Sequence, residues 1–591
     1  MPIQIKGVPL EIQPGRPDIN YAAILEQLQQ AQQEKVDLLI LPQLCLSGKL
    51  LGSAWQEEDL LQDCLSYGQE LIAATGETAL LFGNLTYAKV VHKDGVELEY
   101  YPTICLAQHG QLIAEQLYDA RDLNSQLECL KLSWGEEKLT LGCTLVDRTA
   151  EDLPQLAKAG AQLLITLDAT SYQPKQEEEL RDKLQKLSQS IQCPLLYLNQ
   201  SGIQNTGKNI YAYSGLSLAY DTQGQLLAAT TAFSLRSMFC CFDNGEFCSS
   251  IGIAPALTGM EAVYRCLHYG AKSFLQQCGI KKMTIGLSGG IDSAVTAALY
   301  GTILGPDNIL LLNLPSVYNS STTKDLAKSL AYNLGAQYGV VPIQESYEHT
   351  VAQLESLKLY QGVSLQKPLV LSGLVKENIQ ARDRGARVIA AAAAAFGGAF
   401  SCNSNKTEMT IGYCTFYGDL AGALALIGDL WKDQVYALGR YLNEEVFQRE
   451  VIPEEIFIIR PSAELSSTQT VGQGGDPLHY DYHNRLFQRM MEATPRATPA
   501  DVLRWYKAGT LEQELHCPTG LIETYFPTAQ AFIEDLERWW RLFTGFSVAK
   551  RIQAPPIMSL SPRPYGNPFP EAQLQPYFSR EYQQLKAELL I

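Results

Sequence analysis

The sequence predicts an α/β protein built from two layered domains. Residues 1–240 alternate apolar, strand-like runs with amphipathic helical stretches. A second succession of strand, helix, strand, helix, strand starts at Ile285, the doubly wound pattern. At 591 residues the chain is also too long for one core, since a domain takes up roughly 150.

In the first part, Val36–Pro42, Thr78–Ala88, Lys138–Asp147, Ala161–Ala169 and Cys193–Gly202 read as buried strands, with helices over Ile19–Gln33 and Pro174–Ile191. Cys240–Ser250 has turn chemistry and no helical period, so 241–258 is expected to be a linker. A helix is expected over Gly259–Cys278, then strands at Ile285, Asn308–Ser316 and Ala336–Ile343, within a second domain over 259–553. The last segment, 554–591, carries seven prolines between Ala554 and Tyr577 and reads as an extended tail lying over the surface.

Composition narrows the function classes. Hydrophobic residues make up 46% and charged ones 18%, as in globular proteins. A net charge of −17 argues against nucleic acid as a partner, which needs a basic surface. The 14 cysteines include no CxxC pair, a scatter that fits reduced thiols and a cytoplasmic setting. The N-terminal residues lack the basic and apolar blocks of a secretory signal. The longest apolar run, Val388–Phe400, has 13 residues, against roughly 20 for a membrane span, so no membrane role is expected.

The stretch from Gly286 to Ser293, Gly-Leu-Ser-Gly-Gly-Ile-Asp-Ser, ends a strand and opens an alanine-rich helix. Gly289 and Gly290 let the backbone approach a ligand. The helix start offers free N–H groups and a positive dipole end, which together bind phosphate. Gly286, Leu287 and Ile291 supply backbone, and Ser288 and Ser293 add hydroxyls. Asp292 would repel phosphate unless Mg²⁺ lies between. A plain tight turn is the bland alternative. A Walker-type loop is excluded because no lysine follows the glycines.

The order Ser-Gly-Gly-Ile-Asp-Ser resembles the pyrophosphate loop of enzymes that cleave ATP between its α and β phosphates, shared by asparagine, GMP and NAD synthetases and tRNA-thiolating enzymes. Four further blocks resemble NAD synthetases in particular. They are Leu314–Gly335, the run "ENIQARDRGARV", the run "NSNKTEMTIGYCTFYGDLAGALALIGDLWKDQVYAL", and "IRPSAELSSTQ"; "KRIQAPP" at Lys550–Pro556 matches a C-terminal segment. The resemblance extends from Gly259 to the C-terminus. It implies a Rossmann-like ATP-pyrophosphatase domain, ATP and Mg²⁺, deamido-NAD as the carboxylate substrate, and a homo-oligomer built on a synthetase dimer.

Carried over residue by residue, the resemblance implies Asp292 and Glu408 as Mg²⁺ carboxylates and Asp419 and Lys432 near the reacting groups. Lys432 would stabilise charge on phosphorus or leaving pyrophosphate. Asn378 and Arg382 would grip substrate. Arg384, two residues on, is expected to point away, so only one of the two arginines should reach the site. Lys550 would lie toward the nicotinate. Asn403 stands where the family often has threonine and is expected to keep a nucleotide contact. Each has a bland reading, a solvated helix charge for Glu408 and a surface lysine for Lys432. His479 and His483 share a helix face but lack a third ligand, so capping or packing is the expectation.

Residues 1–240 resemble the nitrilase-like domain of long, glutamine-dependent NAD synthetases, which implies an αββα sandwich. The resemblance rests on "LILPQLCLSGKLLGSAW" and "LLYLNQSGIQNTGKNIYAYSG". That chemistry needs a glutamate base, a lysine for the oxyanion and a cysteine nucleophile. Gln43 stands at the glutamate position and cannot take a proton. The window Leu112–Leu130 has no lysine, only Arg121. Val146 occupies the nucleophile position. Cys143 is three residues away, an odd offset that puts it on the other strand face, and Cys45 lacks a base. The expectation is a folded but inactive amidase domain, with free ammonia, or ammonia from a separate glutaminase partner, feeding the synthetase. Three alternatives stay open. They are an unrecognised glutaminase site, a different carboxylate acceptor, and a non-catalytic nucleotide-binding scaffold.

Overall fold

The structure is a computed structural model that describes all residues except Met1, Asp94, 120–126, 135–136, 249–251 and 467–474. Arg121 and the last residues of "IRPSAELSSTQ" lie outside the described residues. The chain divides into two compact units, Met1–Ser273 and Phe274–Ile591.

Among the described residues the first unit has two seven-stranded sheets. In one, the central strands Ile3–Gly7, Leu38–Ile40 and Ala79–His92 are parallel neighbours. In the other, Glu137–Leu145, Leu163–Asp168 and Leu195–Asn199 are parallel neighbours. Alternation along each strand divides the side chains between layers. Leu38, Ile40 and Leu81 of one sheet and Leu141, Cys143 and Ile165 of the other share the core between the sheets. Leu39, Leu80 and Phe82 face outward, against Ile24 and Leu28 of helix Pro17–Gln33 and Leu61 and Leu71 of helix Glu58–Ala73. On the opposite outer face Leu164, Leu195 and Tyr197 meet Leu153, Leu156 and Leu184 of helices Thr149–Lys158 and Gln176–Ile191. These four layers are the expected αββα sandwich.

The stretch expected as a linker, 241–258, is not one. Met238–Asp243 pairs antiparallel with Ile3–Gly7, and Gly252–Ile253 pairs with Ala228–Ala229. Its turn residues, Asn244 and Gly245, only close a hairpin whose strands carry buried Cys240, Phe242 and Phe247. The contact boundary falls later, within helix Gly259–Gln277.

In the second unit the sheet order is Ile557–Met558, Leu424–Ala425, Ala399–Cys402, Met283–Gly286, Ile309–Asn313, Gln337–Val340, every pair parallel. The chain builds outward from Met283–Gly286 in one direction, then returns to its other side with Ala399–Cys402. Strand ends diverge at such a switch point and leave a crevice beyond their carboxyl ends. Helices Tyr480–Met491, Pro499–Ala508 and Ala529–Thr544 close a second core around Phe532 and Trp539.

The proline-rich tail also differs from expectation. Ile557–Met558 is a strand of this sheet, and Ser559, Leu560 and Tyr565 are buried. Prolines lack a donor, but Pro556 still offers its carbonyl, which accepts from Ala425 N at 2.8 Å. Among the described residues no helix is long and apolar enough to cross a membrane.

Candidate active site

The crevice of the second unit is a cavity of about 630 Å³ at the strand ends. The glycine loop forms one wall. Gly289 has φ +89°, and a Cβ there would sit 2.1 Å from the Thr323 carbonyl oxygen, so only glycine fits this turn. Gly290 is the N-cap of helix Ile291–Leu304, whose first turn has no side-chain cap. Its leading N–H groups are thus left for a ligand, as an anion site requires. Ser293 Oγ lies 3.1 Å from Ser288 Oγ and accepts from Ser288 N at 3.2 Å, which fixes the loop's curvature.

Opposite the loop, charged groups from distant segments converge. Lys432 Nζ donates to Asp292 Oδ2 at 2.5 Å and to Glu408 Oε1 at 3.0 Å. Burial would lower the Lys432 pKa, but the Asp292 and Glu408 carboxylates outweigh it and hold the ammonium charged. Burial raises Glu408, Lys432 opposes that, and Asp292 and Asp476 push it further up. Asn405 joins the pair: its Nδ2 donates to Asp292 Oδ1 at 2.8 Å, and its Oδ1 caps helix Lys406–Ile411 by accepting from Glu408 N at 3.1 Å. Tyr480 OH donates to Asp476 Oδ2 at 2.8 Å, with its ring 5.1 Å from the Lys432 ammonium. The Asp292 and Glu408 oxygens therefore already converge on one cation. Two hard carboxylates beside a phosphate loop suit Mg²⁺, which takes one or two protein carboxylates and fills its shell from water and phosphate.

The residues that the resemblance gives to nucleotide, metal or substrate line the same cavity, Asn378, Arg382, Asn403, Asp419 and Lys550 among them, except Gly289, which is the turn behind the wall. Arg382 Nε donates to Phe416 O at 3.1 Å. Arg384 Nε donates to Leu314 O at 2.9 Å, and its Nη2 to Asn319 Oδ1 at 3.2 Å. The expectation that one arginine would miss the site is corrected. The two reach different partners, the Phe416 and Leu314 carbonyls, yet both line the cavity. Burial, set against nearby Asp383, Glu464 and Asp419, pulls Arg384 down to about 10.

Asp419 stays exposed on the cavity wall, and its Oδ1 accepts from Thr415 N at 2.6 Å. Asn378 Oδ1 accepts from Thr415 Oγ1 at 2.7 Å. Asn403 Nδ2 donates to Gly286 O at 2.8 Å, stapling two strand ends. Lys550 Nζ donates to the Gly412 and Cys414 carbonyls and so straps the loop before Thr415. Asn405, Asp476 and Tyr480 were not found by sequence reasoning. Only Asn405 carried a local signal, an Asn three residues before a Glu at a helix start. His483 Nδ1 accepts from His479 N at 2.8 Å and its Nε2 faces Asp535 at 3.0 Å, a capping arrangement.

In the first unit, Gln43 is 3% exposed. Val146 starts a short 3₁₀ turn after strand Glu137–Leu145 and packs against the outer helical layer, whereas Cys143 points between the sheets. Burial pushes the Cys143 thiol far above its ordinary range; burial and then neighbouring Cys105 do the same to Cys45.

Residues 263–507 match the NAD synthase family. The chain is 28% identical over 494 residues to a glutamine-dependent NAD(+) synthetase of Synechocystis, covering 78% of this chain and 84% of that one. It is 26% identical to the protein of that name from Acinetobacter baylyi, covering 77% and 82%. Among solved structures, a glutamine-dependent NAD(+) synthetase from Cytophaga hutchinsonii superposes with a TM-score of 0.72 at 17% identity over 100% of both chains. One from Acinetobacter baumannii, in complex with ADP, gives 0.65 at 21% identity over 87% of this chain and 93% of that one. The chain is thus similar to glutamine-dependent NAD(+) synthetases over more than three quarters of its length, and the phosphate loop and the carboxylate–lysine cluster lie within the part that the NAD synthase family matches.

Proposed function

We propose that the second unit amidates deamido-NAD at the expense of ATP, through an acyl-adenylate, and that the nitrogen comes as free or partner-supplied ammonia. The observation that carries the reaction is the convergence of Asp292, Glu408 and Lys432 on a cavity floored by the Gly286–Ser293 loop. A carboxylate oxygen of the nicotinate attacks the α-phosphorus of ATP, and the bond to the β-phosphate oxygen breaks. Pyrophosphate departs toward the backbone amides of Ser288–Ser293. Lys432 faces the charge that builds on phosphorus and on the leaving group. Ammonia then attacks the acyl carbon; AMP leaves with the bonding pair and the nitrogen sheds its extra proton. Asp419, exposed to the cavity and linked to Asn378 through Thr415, would hold substrate or receive that proton. Asp292 and Glu408 would hold Mg²⁺, which supplies charge neutralisation for the phosphates. Arg382 and Arg384 bring positive charge to a site that must take two polyanions.

The nitrogen source is read from the first unit. An amide at position 43, an alkyl side chain at 146 and no lysine between Leu112 and Leu130 remove base, nucleophile and oxyanion partner together. Buried thiols at Cys45 and Cys143 do not replace them, because only the thiolate is nucleophilic. The second reading, glutamine use at another site, is favoured by the names of the relatives. The 14 free cysteines fit a reduced cytoplasm. A dimer of the synthetase unit is part of the proposal.

Purified protein given ATP, Mg²⁺ and deamido-NAD should form NAD⁺ with ammonium and not with glutamine. Glutamine-driven turnover that vanishes in Cys45→Ala or Cys143→Ala would overturn the nitrogen assignment.

A further inference from the structure

Helix Lys406–Ile411 has two faces. The front brings Glu408, with its cap Asn405, to Asp292 and Lys432. The back carries Lys406, and there the ammonium is fully buried, at 0% exposure. It donates to Asp429 Oδ1 at 2.7 Å, Glu492 Oε1 at 2.5 Å, Ser561 Oγ at 2.7 Å and Arg563 O at 3.3 Å. The second oxygen of Asp429 accepts from the backbone N–H groups of Leu560 and Ser561, both at 2.7 Å. Tyr565 OH donates to Lys406 O at 2.8 Å. Neither Lys406 nor Asp429 lines the cavity.

Such a cluster is a poor way to gain stability, since desolvating the ions offsets most of their attraction and well-packed apolar residues do as well. What it confers is register. It ties the segment carrying Glu408, the segment leading to Lys432, and the C-terminal strand to one point. Two backbone links carry that register onward: Lys406 N donates to Leu430 O at 2.8 Å, and Lys432 N to Thr407 Oγ1 at 3.0 Å. We propose that Lys406 and Asp429 are positioning residues for the amidation. Backed by residues 557–565, they hold Glu408 and Lys432 at the reacting phosphate. The inference rests on the reaction proposed above. It assigns the proline-rich segment a part in catalysis although it lies outside the cavity wall.

The test uses the full chain with ATP, Mg²⁺, deamido-NAD and ammonium, well below each variant's melting midpoint. Lys406→Met removes the charge at similar length. The double variant Ser561→Ala with Tyr565→Phe loosens the clamp without leaving an ion bare. Misplacing reacting groups by ~1 Å costs about 100-fold in rate. Lys406→Met should therefore lose about 100-fold in kcat and the double variant about 10-fold, while the KM for ATP and the affinity for ATP measured by titration stay within about threefold. Unchanged kcat in the double variant overturns the proposal. So does a fall in ATP affinity matching the fall in kcat, which marks general disruption. If Lys406→Met fails to fold, the double variant decides. If wild-type protein makes no NAD⁺ from ammonium, the reaction assignment falls and the positioning role with it.

Discussion

The two units treat chemically able side chains in opposite ways. In the first, Gln43, Cys45 and Cys143 are sealed in packed layers, at 3%, 0% and 0% exposure. In the second, Asp292, Glu408 and Lys432 come from three distant segments and meet on an open cavity. Both units are α/β layers with parallel strands at their centre, so architecture does not separate them. The difference lies in which groups can be ionised where a substrate can reach. A fold keeps its packing when its reactive groups are replaced by neutral ones, because the core is set by apolar periodicity and not by the site.

The largest effect should come from removing the charge at the centre of the second unit. Lys432→Met is expected to lower ammonium-driven kcat by about 10²–10³-fold in steady-state assays; a loss below tenfold would break the contrast between the units. Next is Gly289→Ala. The left-handed backbone costs an alanine ~1–2 kcal/mol, and the Cβ also collides with Thr323 O, so the KM for ATP should rise at least tenfold. Restoring two of the three amidase groups, Gln43→Glu with Val146→Cys, should leave glutamine hydrolysis undetected, because no lysine stands in the 112–130 window; measured glutamate release would check this. The smallest effects belong to Cys45→Ala and Cys143→Ala. Ammonium-driven turnover should stay within about twofold while thermal unfolding shifts by ~1–2 kcal/mol for the small cavities left.

Much of the fold was legible because it rests on local period. The strand expected over Ala161–Ala169 is Leu163–Asp168, and the helix expected over Pro174–Ile191 is Gln176–Ile191. The phosphate loop was legible because a glycine pair before a helix has a specific backbone use. What escaped was non-local. Tyr480 and Asp476 reach the site through pairings across the fold, and no spacing along the chain announces them, whereas Asn405 left only the local signal of a helix cap. Both arginines line the cavity although they reach different partners, which helical spacing does not encode. Turn residues at Asn244–Gly245 read as a linker, since a tight hairpin and a domain junction share the same chemistry. The prolines of the C-terminal segment read as surface for a similar reason. Composition reports a missing donor, and the buried carbonyls and the Lys406–Asp429 anchor are seen only in three dimensions.

The most direct test of the contrast follows one nitrogen atom. Wild-type protein is given ATP, Mg²⁺, deamido-NAD, unlabelled ammonium and amide-¹⁵N glutamine together, and the product is weighed. The account predicts NAD⁺ carrying only the ammonium nitrogen, at unshifted mass. NAD⁺ one unit heavier, in more than trace amount, would show a working amidase in the first unit and contradict it.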